Sequence, residues 1–248
     1  MRRGVVGGDP SSEEGAIAVA KRPHLLAGED MLPEPLQKRS LERRARLKAA
    51  GLALFGEKGY EGTSVDEIAR RARLPVGSFY QHFRSKRQLL IVLMDELIEK
   101  LSQIEFNPKP AAGVREVIRA LLTRAFSRDL RYLGAHRAWQ EASLTDRDLA
   151  RKQSRIHDWT TMRVLGLFKR LRRLPGSRSR VDLAGLARAM DGFFWSLLAQ
   201  AAANPKVDLS SAINSATHMI YHSLFEDAPS SAKKKARKKR RAMKGLRR

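Results

Sequence analysis

The side chains best suited to contact a polyanion are concentrated in residues 63–86, TSVDEIARRARLPVGSFYQHFRSK. Hydroxyl, amide, imidazole and cationic groups all occur there, and such groups hydrogen-bond to phosphate oxygens or to base edges. Ser64 and Glu67 have the spacing of a capping box, which satisfies free amides at a helix start. The apolar positions of the segment are Ile68, Ala72, Leu74 and Phe79. This pattern predicts two short helices joined by a tight turn, a helix-turn-helix.

The charge of the chain also favours a polyanionic partner. The net charge is +23 and the isoelectric point is near 11.1. Residues 228–248 hold eleven Lys and Arg and no acid, which is nearly half of the net charge. Such a tail cannot bury itself and is predicted to be disordered. It is either an arm that neutralises DNA phosphates without sequence choice or a solubilising segment.

Several functional classes are excluded or disfavoured by composition. The absence of cysteine excludes disulfides, thiolate zinc sites and cysteine nucleophiles. No apolar run approaches the roughly 20 residues of a membrane-spanning helix, so we expect a cytoplasmic protein without a membrane partner. No phosphate loop, nucleophile elbow or carboxylate pair is recognisable, and His136, His157 and His222 are scattered. We therefore expect no enzyme activity, catalytic residue, cofactor or metal.

The remaining chain is predicted to be all-α, because helical periodicity recurs and no strand alternation persists. Gly59 suits the left-handed end of the first helix. Hydroxyl caps are predicted at Ser85 and Thr145. About nine helices are expected, over residues 35–58, 64–72, 75–82, 86–104, 112–130, 133–143, 146–174, 180–203 and 209–225.

Composition and periodicity divide the chain into four parts. Residues 1–35 mix Gly, Pro, Ser and charges without periodicity and are predicted to be a disordered extension. Residues 36–84 form the helix-turn-helix domain. Residues 85–227 form a second helical domain, and the basic tail follows at 228–248.

The segment from about Arg43 to Leu90, with EKGYEGTSVDEIA followed by LPVGSFYQHFRSKRQLL, resembles the DNA-binding segment of the tetracycline-repressor (TetR) family of bacterial regulators. The resemblance implies a sequence-specific transcriptional regulator, usually a repressor, that binds double-stranded DNA as a homodimer. It also implies a nucleoid-associated protein with a C-terminal domain for ligand binding and dimerisation. A small apolar or amphipathic effector would release such a dimer from a palindromic operator.

The resemblance assigns roles to individual residues. Val76, Gly77 and Ser78 are expected to face bases, whereas Ser64, Tyr80, His82 and Lys86 are expected to hold phosphates. Arg73 occupies a turn position that is usually glycine, and Gln81 a position that is often aromatic; a glutamine can bond adenine. The predicted DNA-binding set is Thr63, Ser64, Arg73, Val76, Gly77, Ser78, Tyr80, Gln81, His82 and Lys86.

The second domain is rich in large apolar side chains. A helical bundle can enclose a small-molecule pocket lined by such groups, with core packing as the alternative for each residue. The candidates are Phe126, Trp139, Trp159, Met162, Phe168, Met190, Phe194 and Trp195. Two late helices are more apolar than a monomer core requires, which favours a dimer bundle. Their apolar residues are Leu183, Leu186, Met190, Phe193 and Leu197, and Ile213, Ile220 and Leu224.

A second functional class is left open by the sequence. An architectural protein that coats DNA through its basic tail, without sequence choice, would explain the charge equally well. The ratio of specific to nonspecific affinity at fixed salt distinguishes the two classes.

Overall fold

The computed structural model describes residues 21–104, 113–127, 132–204 and 208–226. Within these ranges the chain is helical, with one isolated antiparallel bridge between Ser177 and Phe225 and no strand. The predicted all-α class and helix count are confirmed there. The helices are α1 (Lys38–Lys58), α2 (Val65–Arg71), α3 (Val76–Tyr80), α4 (Lys86–Ser102), α5 (Val114–Ser127), α6 (Leu133–Ser143), α7 (Arg147–Leu171), α8 (Leu183–Ala203) and α9 (Leu209–Leu224).

Local sequence signals fix most helix ends. Ser64 and Glu67 form both halves of the predicted capping box at α2, and the Ser85 hydroxyl accepts from the Gln88 amide at α4. Gly59 ends α1 with a φ of 75°. The predicted Thr145 cap is wrong: Asp146 caps α7, because its Oδ1 accepts from the amides of Asp148 and Leu149 at 2.9 and 3.1 Å.

We refer to α1–α3 as the head and to α4–α9 as the body. The head packs on the body mainly where α1 crosses α6. At the crossing, Gly56 and Gly134 face each other, and a Cβ at Gly134 would lie 2.7 Å from the Gly56 nitrogen and 2.9 Å from its Cα. Only glycine lets two helix backbones approach so closely.

Two side chains of α6 hold the same junction with hydrogen bonds. The Glu141 carboxylate accepts from the backbone amides of Tyr60 and Glu61 at 2.7 and 3.1 Å, just after α1. Arg137 Nη1 donates to the Gly56 carbonyl at 2.9 Å. The end of α1 is therefore attached to α6 through its backbone, which fixes the head against the body.

Residues 21–35 are packed, which differs from the disorder predicted for residues 1–35. Leu25 is 1% exposed and belongs to the main core. Arg22 pairs with Asp95 on α4 at 2.9 Å, and Lys152 Nζ on α7 donates to the Leu25 carbonyl at 2.9 Å. This segment therefore ties α4 to α7. Residues 1–20 and the predicted tail at 228–248 lie outside the described residues.

The described body contains two apolar clusters. The larger one runs from the head through α4 and α6 to α8, so the head shares its core with the body. The smaller one joins α5, α7, α8 and α9 around Phe168 and Leu171. Within the described ranges, none of the helices combines the length and hydropathy needed to cross a membrane.

The prediction that two late helices, α8 and α9, are more apolar than one chain's core requires needs a correction. Leu183, Leu197, Ile213, Ile220 and Leu224 are all buried within one chain, so its own core uses them. Leu186, Met190 and Phe193 are half-buried. The exposed positions of α8 are instead mostly small or polar: Arg188, Ala189, Gly192, Ser196 and Gln200.

The glycine contact at the α1–α6 crossing leads to a stability prediction. Gly134→Ala should lower the free energy of unfolding by about 1–3 kcal/mol, because the new methyl meets backbone atoms that cannot rotate away. Chemical denaturation measures the change. Gly77→Ala is the matched control, since a Cβ there meets no atom within 4 Å. Equal stability of the two variants would contradict the close crossing.

Candidate functional site

The turn between α2 and α3 is held by an arginine of α1. Arg73 has a φ of 54°, and this left-handed conformation costs an ordinary residue roughly 1–2 kcal/mol. Arg46 Nε donates to the Ala72 carbonyl at 2.9 Å, and its Nη2 donates to the Arg73 carbonyl at 2.7 Å. Arg46 therefore satisfies the carbonyls at this turn and offsets part of the cost.

Six of the ten predicted DNA-binding residues are exposed, and they lie at the start of α2, in the α2–α3 turn, and on or just after α3. Val76 is 37% exposed and Tyr80 is 53% exposed. The exposed members are Ser64, Arg73, Val76, Gly77, Tyr80 and Gln81. We call this set the α3 surface. It presents an aromatic hydroxyl, an amide and a guanidinium beside a glycine with open space around it, a combination that suits a DNA groove.

Three other predicted residues turn into the head instead. Thr63 is 1% exposed, and its hydroxyl donates to the Gly59 carbonyl at 2.7 Å. Ser78 and His82 are also buried, and burial, aided by Arg44 and Arg43, lowers the pKa of His82. The predicted contacts of these side chains with bases or phosphates need correction, because they support the α3 surface from inside.

Lys86, the remaining predicted residue, is bound by the head itself. Its Nζ donates to the carbonyls of Tyr60 and Thr63 at 2.9 and 3.1 Å and lies 4.4 Å from the centre of the Tyr60 ring. The ammonium therefore closes the loop between α1 and α2. Its contribution is at least partly structural.

The basic residues in the first half of α1 have two different roles. Arg44 lies 4.6 Å over the Phe83 ring and donates to the His82 carbonyl at 3.0 Å. Lys38, Arg39 and Arg43 are exposed. Arg44, like Arg46, therefore stabilises the head, whereas the exposed three add positive charge to its surface.

A cavity of about 470 Å³ lies in the body between α4, α5, α7, α8 and α9. Its size is within the range of small-molecule sites. Six of the eight side chains predicted for a pocket lie on its wall: Phe126, Trp159, Met162, Phe168, Met190 and Phe194. Ligand contact by these six stays a prediction.

The other two predicted pocket residues lie outside the wall. Trp139 is fully buried in the main core. Trp195 Nε1 donates to the Thr160 hydroxyl at 3.3 Å, and the Trp195 ring stacks on His136 with centroids 5.1 Å apart. Both tryptophans shape the core beside the cavity, which is the alternative that the sequence left open.

Three charged side chains on the wall, Arg163, Arg170 and Asp191, were missed by the sequence reasoning. Arg163 Nη2 donates to the carbonyls of Leu101 and Ile104, at the end of α4, at 3.2 and 2.9 Å. Asp191 accepts from His157 Nδ1 at 2.9 Å. No local sequence signal marks Arg163, because its acceptors are backbone atoms about sixty positions away.

His136 lies close to the cavity but is buried. It borders a much smaller void that shares Leu101, Ile104 and Phe126 with the cavity wall. Neither ring nitrogen has a partner among the described residues. Burial, aided by His157, lowers the pKa of His136 to about 4. The imidazole is therefore neutral at pH 7.

Among the described residues, no three His, Cys, Asp or Glu side chains come together as a metal site. His157 and Asp191 form a hydrogen-bonded pair between α7 and α8. Their hydrogen bond serves to hold α7 against α8.

The bonds of Lys86 give a prediction that separates its two roles. Lys86→Met should lower the free energy of unfolding by about 1–2 kcal/mol without DNA, because two carbonyls lose a charged donor. Denaturation of the free protein is the measurement. Lys38→Met, at an exposed lysine of α1, should change stability by no more than about 0.5 kcal/mol. If the stability of Lys86→Met were unchanged, Lys86 would have no structural role, and its predicted contact with phosphate would be its only one.

The neutral His136 predicts a pH dependence of stability. Between about pH 6.5 and pH 4 the unfolded chain binds a proton that the folded chain excludes. The free energy of unfolding therefore decreases as the pH is lowered through this range. The full contribution is on the order of 3 kcal/mol. His136→Phe keeps a ring against Trp195 and should remove this part of the slope in urea titrations. An identical slope in both proteins would contradict the buried neutral imidazole.

Comparison with known proteins identifies the segment that contains the α3 surface. Residues 47–93 match the profile of a family described as bacterial regulatory proteins, tetR family. The chain is 36% identical over 104 residues to the HTH-type transcriptional repressor KstR of Rhodococcus jostii (strain RHA1). That match covers 41% of this chain and 48% of KstR, so it spans about half of the relative.

Solved structures extend the likeness to the body at the level of the fold. A SmeT–triclosan complex has a TM-score of 0.60 at 23% identity, over 75% of this chain and 93% of SmeT. A transcriptional regulator from Rhodococcus sp. Rha1 has a TM-score of 0.57 at 20% identity, over 75% and 99% of the two chains. Both the family segment and the all-helical arrangement around it are thus shared with known regulators. Residues 47–93 are thus similar to the tetR family of bacterial regulatory proteins.

Proposed function

We propose that the chain is a sequence-specific DNA-binding transcriptional regulator that acts as a homodimeric repressor. The observation that carries the proposal is the α3 surface, which lies exposed on the segment that matches the tetR family. The similar KstR is named a transcriptional repressor, which supports the direction of regulation.

On this proposal the α3 surface enters the major groove. Val76, Gly77 and Gln81 are the candidates for base contacts, and Gln81 suits an adenine because its amide donates and accepts side by side. Ser64, Arg73 and Tyr80 are the candidates for phosphate contacts, which fix register without reading sequence. Because α3 is so short, its helix dipole would add little to DNA binding. The side chains would therefore carry the sequence specificity.

A dimer would present two such surfaces to successive grooves. Two half-sites about 34–36 Å apart then give a palindromic operator. The exposed small residues of α8, Ala189, Gly192 and Ser196, support a close two-fold helix contact there. Proposed domain limits are 36–84 for DNA binding and 85–227 for dimerisation and ligand binding.

We place the effector in the 470 Å³ cavity of the body. The wall is mostly apolar, which favours a small apolar or amphipathic molecule. The end of α4 forms part of this wall, and the start of α4 carries Lys86, which binds the head. One helix therefore contacts both the cavity and the head, which is the physical link that coupling between two sites requires.

The test is DNA binding at fixed salt. Fluorescence anisotropy should show that a palindrome upstream of the chain's own gene binds at least about 1,000-fold more tightly than random DNA. Gln81→Ala should reduce that ratio, whereas its affinity for random DNA stays near that of the unchanged protein. Equal affinity for both DNAs would contradict the proposal.

The basic tail separates this function from the architectural alternative. Deletion of residues 233–248 removes eleven positive charges, so it should weaken binding to every DNA and flatten the salt dependence. The operator preference should survive the deletion. If the preference disappears with the tail, the assignment of sequence choice to the α3 surface fails.

A further inference from the structure

Arg163 is a cation on the wall of an apolar cavity, and two carbonyls are its hydrogen-bond acceptors. Its Nη2 donates to Leu101 and Ile104, while its guanidinium carbon lies 5.1 Å from the centre of the Trp159 ring. A guanidinium carries five N–H donors in a planar fork. Nη2 alone makes both bonds, so Nε and Nη1 remain able to bind a second partner.

No acidic side chain among the described residues forms a salt bridge with Arg163. The second arginine on the same wall, Arg170, is also a cation. Burial and the charge of Arg170 lower the pKa of Arg163 from its ordinary value. The cavity end near α4 is therefore positively charged and partly desolvated, which is an environment that favours an anion.

The only acid on the described part of the wall is Asp191, whose Oδ2 is paired with an imidazole and whose Oδ1 has no hydrogen-bond partner among the described residues. Asp191 is 4% exposed and accepts from His157 on α7. Leu101, Ile104, Phe126 and Phe194 make the rest of the α4 end apolar. The cavity thus combines a mostly apolar wall with two arginines, and the Nε and Nη1 donors of Arg163 are available to a ligand.

We propose that the effector is an amphipathic carboxylate whose apolar body fills the cavity and whose carboxylate binds Arg163. The proposal rests on the proposed function, because it names the ligand class for that cavity. A carboxylate matches the guanidinium fork with two parallel bonds. A neutral alcohol of the same length offers one weaker bond, and a quaternary ammonium is repelled.

The same contact explains how ligand binding in the cavity would change the position of the head. Two parallel bonds to a carboxylate require Nη2 together with Nε or Nη1, so a carboxylate competes with the carbonyls of Leu101 and Ile104 for Nη2. The carboxylate is the stronger acceptor, because it is also charged and binds in a bidentate geometry. Loss of Arg163 from these carbonyls frees the end of α4. The other end of α4 holds Lys86 and Arg87, which bind the α1–α2 loop and the Asp146 cap of α7. A shift of α4 therefore moves the head against α7.

The test compares three probes with the same ten-carbon chain: decanoate, 1-decanol and decyltrimethylammonium. Calorimetric titration should show that decanoate binds the full-length protein at least about tenfold more tightly than 1-decanol, and that the ammonium binds most weakly. Decanoate should also weaken operator binding in anisotropy. In Arg163→Gln the preference for decanoate over 1-decanol should disappear, while 1-decanol retains its affinity. Arg170→Gln is the matched control and should keep most of the preference.

The outcomes distinguish this inference from the proposed function. Equal binding of decanoate and 1-decanol, with release of the operator by both, overturns the carboxylate proposal and leaves the repressor intact. Absence of binding by any probe, or a decanoate preference that survives Arg163→Gln, also overturns it. Loss of all operator preference before any probe is added counts against the proposed function instead. Arg163→Lys is the second variant, to be used if Arg163→Gln folds poorly. Because it keeps the charge, it should retain part of the preference for decanoate.

Discussion

The crossing of α1 and α6 at Gly56 and Gly134 is the constraint on which the rest of the structure depends. Backbone contact at this point leaves no layer of side chains that could slide. Glu141 then fixes the two amides that follow α1, so the head is attached at a backbone position. Because α6 also carries His136, which borders the smaller void next to the cavity, one short helix contacts both the head and the neighbourhood of the proposed ligand site.

The head depends on buried polar contacts as much as on apolar packing. Thr63, Arg46 and Lys86 each satisfy backbone carbonyls of its two turns. These bonds hold a five-residue helix that is too short to be stable alone. The α3 surface is therefore a rigid platform, and its exposed side chains are free to contact a groove without having to hold α3 in place.

Sequence signals that act over a few residues predicted most of the fold. The capping box at Ser64 and the glycine at Gly59 each require only neighbours within one turn. The inward direction of Ser78 and His82 could not be predicted in this way, since the buried face of α3 is set by the helices that pack on it. Arg163 has acceptors at distant positions, and Leu25 lies in a segment without periodicity. Such contacts depend on the tertiary fold.

Charge is likewise distributed differently from what the net value of +23 suggests. Two cations of the head, Arg44 and Arg46, and Lys86 at the start of α4 are engaged with backbone carbonyls or aromatic rings of the head. Exposed cations remain at the start of α1, on α2 and in the α2–α3 turn, among them Lys38, Arg43, Arg70 and Arg73. On the proposed function, sequence choice on DNA would rest on a small set of exposed groups, and the tail would supply positive charge to any DNA.

The rigid attachment of the head through α6 is tested most directly by hydrogen exchange at the amides of Tyr60 and Glu61. In the unaltered protein both amides should be protected to the degree of the α6 helix, because they bond to Glu141. In Glu141→Ala both should lose protection, whereas amides within α4 keep theirs. Rapid exchange of these two amides in the unaltered protein would show that the head is not held in this way.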